Sequence, residues 1–215
     1  SVFFNVKKSK TVFHTSDCIK LDNLIKREQY FIFNKPNKKI ISCLFSGRLV
    51  EQKGVKNIVE LAKRLPQVKF IFAGKGNLNN YLIEKSKIFK NIKVLGYLDK
   101  ISLKIQYKYA DVLLLPSQKT FKWEELFGIS LIEAMSYAVI PLATDHSGPI
   151  EIIDNNIDGF LFNEKNYLES AYKVLYNFSS NPQIMYELKI NAIKKSKKFS
   201  IEKISTLWLN ILDEK

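Results

Sequence analysis

From residue 40 onward, apolar runs alternate with amphipathic stretches. IISCLFSG (40–47) is a continuous apolar run closed by Gly47, which predicts a buried strand. VKNIVELAKRL (55–65) has its apolar residues at helical spacing and is stopped by Pro66. VKFIFAGKG (68–76) predicts a second strand that runs into a Gly-x-Gly turn. LNNYLIEKSKIF (78–89) reads as helix, NIKVLGYL (91–98) as strand and ISLKIQYKYA (101–110) as helix again. DVLLLPS (111–117) is a fully apolar strand that stops at Pro116-Ser117. EELFGISLIEAMS (124–136) passes from loop into helix near Gly128 or Ile129. VIPLATD (139–145) is strand, and GFLFN (159–163) a short further one. Helices at about 166–177, 182–197 and 201–212 end the chain, with Pro182 as an N-terminal proline and Ser200 as an N-cap.

Strands alternating with helices of this length predict an α/β fold: a Rossmann-like, doubly wound parallel sheet with helices on both faces. Right-handed crossovers place every strand's C-terminal end on one edge, where ligands of such sheets bind. That edge is assembled from SGRLVEQKG, AGKGN, LGYLD, PSQKTFKWEELFG and TDHSGP. Residues 1–40 do not form another βαβ unit. They carry strand-like pieces (SVFF, TVFH, QYFIF) between Lys-rich breaks and Pro36, which predicts a lead-in strand or linker ahead of a 41–215 domain.

At 215 residues the chain buries enough surface to fold without staples, and Cys18 and Cys43 are too few for a disulfide framework or a metal cage. Two lone thiols fit a reducing compartment, and no apolar run approaches the roughly 20 residues of a membrane span. SVFFNVKKSK is not a signal peptide, since its charge follows the apolar patch. The absent initiator Met leads us to expect a fragment or processed piece. The net charge of +13 is unevenly placed: residues 41–109 hold fourteen Lys/Arg and four acids, whereas residues 110–170 hold three and ten. No zinc-finger spacing or RNP-like motif accompanies the basic parts, so nucleic acid is not the expected partner. A solvated basic face is one reading; attraction to anionic lipid or to a charged acceptor is the other.

The candidate chemistry lies on the ligand edge. Glu125 falls in the loop before a helix start and Glu133 in its first turns, flanking backbone N–H groups that favour anions. Carboxylates there could accept from sugar hydroxyls while the N–H groups meet a diphosphate. The alternative is an acid offsetting the helix dipole and an exposed helical Glu. Arg48 and Lys53 deliver two cations to the same edge and could hold a diphosphate and neutralise a departing nucleotide; equally, Lys53-Gly54 could simply precede a helix. DHSGPIEII (145–153) repeats the strand-turn-helix theme with Glu151, or is only a structural turn. His146 is either a site residue or, as lone loop histidines more often are, a solvated one. AGKGN lacks the third Gly of a dinucleotide fingerprint, and no such fingerprint follows the 40–47 strand, which disfavours NAD.

In this order the pieces resemble the C-terminal, donor-binding half of glycosyltransferase family 4, retaining enzymes of GT-B architecture. The resemblance runs from about residue 41 to the end. FSGRLVEQKG is similar to the family's Gly-Arg-Leu…Lys-Gly loop, and FIFAGKG, VLGYL and YADVLLLPS to its next strand ends. EELFGISLIEAMS carries a Glu-x7-Glu pair in Glu125 and Glu133, with Glu124 one residue out. SGPIEIIDNNIDGFLF resembles the Gly-Gly-x-x-Glu segment, with Ser147 for the first Gly. Ala138 stands where Gly is common, and KKFSIEKISTLWLNIL resembles the helix that crosses back toward the N-terminal domain.

The resemblance implies roles by position. Arg48 and Lys53 bind the donor diphosphate and stabilise the leaving nucleotide, Glu125 contacts the donor sugar and Glu133 the ribose. Gly47 and the helix start at Phe127, Gly128, Ile129 and Ser130 lie near sugar and phosphate. Base recognition falls around Gly96, Tyr97 and Leu98 and around Pro116 and Ser117. No cofactor and no catalytic metal are expected. The partners implied are a nucleotide-sugar donor, a glycan or lipid-linked acceptor and the missing N-terminal GT-B domain, of which residues 1–40 are a remnant. Without that domain the chain is expected to be inactive. The setting implied is bacterial surface-polysaccharide synthesis in the cytoplasm, with peripheral membrane contact. The rival readings are a sugar-nucleotide epimerase of GT-B architecture and a non-catalytic module that binds partners or membrane through its basic face.

Overall fold

The computed structural model describes residues 20–33, 40–121 and 123–213. Among them, six strands form one all-parallel sheet in the order β3-β2-β1-β4-β5-β6. These are β1 (Ser42–Ser46), β2 (Lys69–Ala73), β3 (Ile92–Gly96), β4 (Val112–Leu115), β5 (Ile140–Thr144) and β6 (Phe160–Phe162). The helices are α1 (Leu21–Phe33), α2 (Val55–Arg64), α3 (Asn79–Ile88), α4 (Lys100–Tyr109) and α5 (Ile129–Met135). After them come α6 (Ser147–Ile152), α7 (Tyr167–Ser180), α8 (Met185–Ser196) and α9 (Ile201–Asp213). The strand order reverses between β1 and β4, which makes that gap the switch point.

The apolar runs are continuous because both faces of the sheet are covered, and side-chain alternation sorts them into two cores. Cys43, Phe45, Phe70, Phe72, Val112, Leu114, Ile140 and Leu142 pack with α2, α3 and α7. Leu44, Leu113, Leu115 and Ala143 point the other way, into a core shared with Tyr107, Leu131, Met135, Ala192 and Ile204. Helix α2 shows how the spacing works: Val55, Ile58, Val59, Leu61 and Ala62 are buried on one stripe, and the helix ends at Arg64 ahead of Pro66. Asp111, at the entry to β4, is buried. Its carboxylate accepts from the Ser42 N–H (2.9 Å) and from the Lys189 ammonium (2.6 Å) on α8.

The lead-in segment departs from expectation. QYFIF is not a strand but the end of α1, and SVFF and TVFH lie outside the described residues. Helix α1 packs on α8 rather than leading away: Leu24 is fully buried, Phe31 stacks on Tyr186, and Glu28 pairs with Lys197. Its pattern is helical once Leu24 is taken as the buried anchor. The β-rich composition of its last turn misleads because propensity yields to packing.

Candidate functional site

Two loops meet at the switch point, and glycines set how closely. Gly54 has φ 64°, and a Cβ there would lie 1.9 Å from the Pro116 carbonyl oxygen. The turn after β1 therefore presses onto the end of β4, and the Gln118 N–H donates to the Gln52 carbonyl (2.8 Å). This contact brings Lys53 to Glu125: the ammonium pairs with Glu125 Oε2, with little of either side chain exposed. Ser117 Oγ donates to the same oxygen (3.1 Å), and the Trp123 ring lies 4.9 Å from Lys53 Nζ. Ser117 itself is fully buried, so it reaches the edge only through Glu125.

A cleft of about 370 Å³ opens beside this pair. The loop after β1 lines it with Ser46, Gly47 and Arg48, the ends of β2 and β3 with Gly74, Lys75, Tyr97 and Leu98, and α5 with Ser130 and Glu133. Gly74 is required for packing, since a Cβ there would fall 1.8 Å from the Gly47 carbonyl oxygen. Gly96 has φ 69° and accepts from the Gly74 N–H (2.7 Å), turning the chain so that Tyr97 stands in the cleft wall with Lys75 over its ring. Arg48 is exposed to the cleft.

Of the predicted residues, Gly47, Arg48, Tyr97, Ser130 and Glu133 thus share one cleft, while Lys53, Ser117 and Glu125 form a neighbouring, largely occluded cluster. Phe127 and Ile129 are exposed at the start of α5 and Gly128 is buried in the left-handed region at φ 63°, as that helix's N-cap. None of the three lines the cleft.

The Glu125 loop is held from behind. The Glu125 N–H donates to His146 Nδ1 (3.3 Å), so the ring proton sits on Nε2 and is donated to Glu164 (2.7 Å). The Gly148 N–H donates to the Glu125 carbonyl (3.1 Å). His146 is 4% exposed, not solvated: a loop histidine with a partner on each nitrogen is a fastener. Glu124 does not line the cleft. It accepts from Ser147 N–H (3.0 Å) and Ser147 Oγ (2.7 Å), and pairs with Lys119. These contacts hold its carboxyl well down, at about 2, chiefly through Lys119 and then Ser147. Ser147 therefore does more than keep a tight turn.

Sequence reasoning missed Lys75, Ser46 and Tyr107. Lys75 was visible as the cation inside Gly-Lys-Gly on the ligand edge. Tyr107 was hidden inside a helix: it is 1% exposed, yet its hydroxyl lies 3.0 Å from Ser46 Oγ and 3.2 Å from Glu133 Oε2. Among the described residues, no three His, Cys, Asp or Glu side chains are grouped to hold a metal ion.

The fold is thus an all-parallel, doubly wound sheet with cations and a carboxylate gathered in a cleft at its C-terminal edge, and the comparisons give its family. Residues 26–199 match the family described as Glycosyl transferases group 1, and the chain belongs to it. The match includes most of α1 and stops before α9. The chain is 26% identical over 181 residues to alpha-galactosylglucosyldiacylglycerol synthase of Streptococcus pneumoniae, covering 79% of this chain and 44% of the relative. It is 31% identical over 142 residues to an uncharacterized 41.2 kDa protein in the cps region of Klebsiella pneumoniae, covering 66% and 37%. In structure it is similar to Anabaena HepE in complex with UDP, with a TM-score of 0.74 at 17% identity, covering 96% of this chain and 57% of that one. The chain thus spans less than half the length of these two sequence relatives.

Proposed function

We propose that this chain is the donor-binding half of a retaining, family 4 glycosyltransferase that moves a sugar from a nucleoside-diphosphate sugar to a glycan or lipid-linked acceptor. The observation that carries the reading is the cleft at the C-terminal ends of β1, β2 and β3, lined by Arg48 and Lys75 from the loops after β1 and β2 and by Ser130 and Glu133 from α5. In this reading Arg48 takes the diphosphate and Glu133 accepts from the ribose. Lys53 and Glu125, joined as an ion pair, act together: Lys53 turns toward the phosphate nearest the sugar while Glu125 accepts from sugar hydroxyls. The bond from the sugar's anomeric carbon to the diphosphate oxygen breaks, the acceptor hydroxyl oxygen forms the new bond, and its proton leaves with the diphosphate. Charge building on the departing diphosphate is met by the two cations, with no cofactor and no catalytic metal in the scheme. Gly96 and Tyr97 border the base, and Ser117 works by fixing Glu125.

The S. pneumoniae relative's name supports a lipid-linked acceptor and the K. pneumoniae relative's place in a cps region supports surface-polysaccharide synthesis in a bacterium. Exposed Leu207, Leu209 and Leu212 on α9 support a second, N-terminal GT-B domain as the missing cover. The exposed face of α4 supports peripheral membrane contact at the cytoplasmic side. Ile101, Ile105 and Tyr109 follow one another at four-residue spacing beside Lys104 and Lys108, and α4 contains no acid. No helix among the described residues is long and apolar enough to cross a membrane.

Titration of the chain with UDP, GDP, ADP and CDP, followed by calorimetry and by melting, tests the donor site. One diphosphate is expected to bind and to raise the midpoint, with both effects lost in Arg48→Ala. Failure of all four to bind the full-length gene product refutes the reading. Sedimentation with phosphatidylglycerol vesicles, compared with phosphatidylcholine vesicles and with Ile101→Ser/Ile105→Ser, tests the α4 face; equal sedimentation of all three samples removes it.

A further inference from the structure

The Lys53 ammonium and the Glu125 carboxylate neutralise each other largely out of water, with 14% and 12% of their side chains exposed. Ser117 Oγ donates to the same carboxylate oxygen (3.1 Å). The Trp123 ring lies 4.9 Å from Lys53 Nζ, an aromatic face that favours the cation where it is. The two partners differ in what can move. Glu125 is fastened through its backbone, its N–H to His146 (3.3 Å) and its carbonyl to the Gly148 N–H (3.1 Å), so the carboxylate stays in place. Lys53 is also fixed at the backbone, where its N–H donates to the Val50 carbonyl (3.1 Å) and Gly54 abuts Pro116. Beyond that point it has a flexible four-carbon stem, which can swing. Arg48, in the same loop, already lines the neighbouring cleft.

We infer that the Lys53–Glu125 pair is a specificity latch: it withholds Lys53 from a bare diphosphate and yields it to a ligand that brings hydroxyl donors along with its phosphates. A diphosphate offers only acceptors. It can draw Lys53 away only by leaving the Glu125 charge with the Ser117 hydroxyl in place of a cation, and uncovering a largely buried charge offsets the new contact. A nucleoside-diphosphate sugar presents oxygens to Lys53 and hydroxyls to Glu125, so both partners are satisfied again. The site therefore prefers the intact donor to the nucleoside diphosphate that transfer leaves behind, and Lys53 returning to Glu125 favours release of that product. This deepens the donor-site reading and rests on it for the identity of the ligand.

The first probe is inorganic pyrophosphate, titrated by calorimetry against wild type, Glu125→Gln, Lys53→Met and the double variant. Glu125→Gln is expected to tighten pyrophosphate roughly tenfold, in the range for a hydrogen bond to a charged group, because Lys53 is then released. Lys53→Met should weaken pyrophosphate about tenfold more in the Glu125→Gln background than in the wild type. Simple removal of charge gives the same factor in both backgrounds, so additivity overturns the proposal, as does a Glu125→Gln protein that binds no pyrophosphate. Should Lys53→Met not fold, the neutral double variant carries the test: the gain seen in Glu125→Gln must vanish in it, and a retained gain refutes the latch. The second measurement titrates whichever of UDP, GDP, ADP and CDP binds beside its glucose, galactose, mannose and N-acetylglucosamine forms. Wild type should prefer one sugar form, and that preference should fall at least tenfold in Glu125→Gln. A wild type that binds the bare diphosphate as tightly as every sugar form overturns the latch. If no nucleotide binds while the pyrophosphate cycle is non-additive, the donor-site reading fails and the latch stands as the gate of an anion site.

Discussion

Replacing Gly148 by Ala should displace the loop that carries Glu125. A Cβ at 148 would lie 2.6 Å from the Leu126 carbonyl carbon, 2.6 Å from the Phe127 nitrogen and 2.7 Å from the Leu126 oxygen. All three are backbone atoms, so no side chain can swing aside. Ordinary contact begins at 3.4 Å, and the loop must retreat by roughly 0.8 Å. A shift of that size stretches the Gly148 N–H to Glu125 C=O bond from 3.1 Å beyond hydrogen-bonding range, and it strains the 3.3 Å bond from Glu125 N–H to His146. Overpacking costs about 1–3 kcal/mol and each lost bond about 1 kcal/mol, or roughly 2–5 kcal/mol together. For a chain of this length each kcal/mol moves the melting midpoint by about 2–4 °C, so a fall on the order of 10 °C is expected.

The comparator is Ser147→Ala, which keeps the backbone and removes only the 2.7 Å bond from Ser147 Oγ to Glu124. It should lower the midpoint by no more than about 4 °C, in line with one exposed hydrogen bond of about 1 kcal/mol. Melting by circular dichroism measures both variants. Gly148→Ala melting within 2 °C of wild type (or Ser147→Ala falling as far as Gly148→Ala) would show that the clash is relieved elsewhere and that this glycine does not hold Glu125 in place.

Three further outcomes are expected. Ala138 sits in the left-handed region at φ 62°, a position that costs an L-residue about 1–2 kcal/mol; Ala138→Gly should therefore raise the midpoint by a few degrees, and a fall in the melt refutes this. Lys189→Met takes away the ammonium 2.6 Å from buried Asp111, and breaking such a pair costs about 3–5 kcal/mol. The melt should fall by roughly 6–20 °C and recover in part when Asp111→Asn is added. Burial raises the Asp158 carboxyl from 3.8 to about 6. A raised acid favours the folded state below about pH 4, and that contribution is lost as the pH climbs through about 6. Asp158→Asn keeps the acceptor for the Asp154 N–H, so it should melt above wild type at pH 7.5 and match it near pH 4; a gap that is constant with pH refutes the assignment.

The sheet was legible because β1, β2, β4 and β5 are apolar on both faces, a pattern that few folds other than a covered parallel sheet can use. Helix α2 was legible because its stripe and its Pro66 stop agree. α1 was not, since only one of its residues, Leu24, is fully buried among those described, and a single anchor gives no period to read. At the site, cations and acids on strand ends announce themselves, which is why Arg48, Glu133 and the Lys53–Glu125 pair could be chosen. What could not be read is which groups are already spent on each other. Nothing in Glu-Glu-Leu-Phe-Gly says that Glu124 turns back to Ser147 while Glu125 meets Lys53. Nor does a tyrosine in an amphipathic helix reveal that its hydroxyl emerges at the far side of the core beside Glu133.

The charge inversion along the chain acquires a spatial meaning at the switch point. Strands β3, β2 and β1, with their loops, come from the basic stretch 41–109, and β4, β5 and β6 from the acidic stretch 110–170. The order β3-β2-β1-β4-β5-β6 sets these two halves side by side, and the cleft takes Arg48 and Lys75 from the basic stretch and Glu133 from the acidic one. The Lys53–Glu125 ion pair joins the two stretches beside the contact of Gly54 with Pro116, which lets the loops come that close. A side chain at Gly54 would push the loops apart and separate Lys53 from Glu125 before any ligand arrived. The cations gathered here, Arg48, Lys53 and Lys75, thus come from the basic stretch and the carboxylates, Glu125 and Glu133, from the acidic one, so the net charge of the whole chain says little about the charge met at this edge.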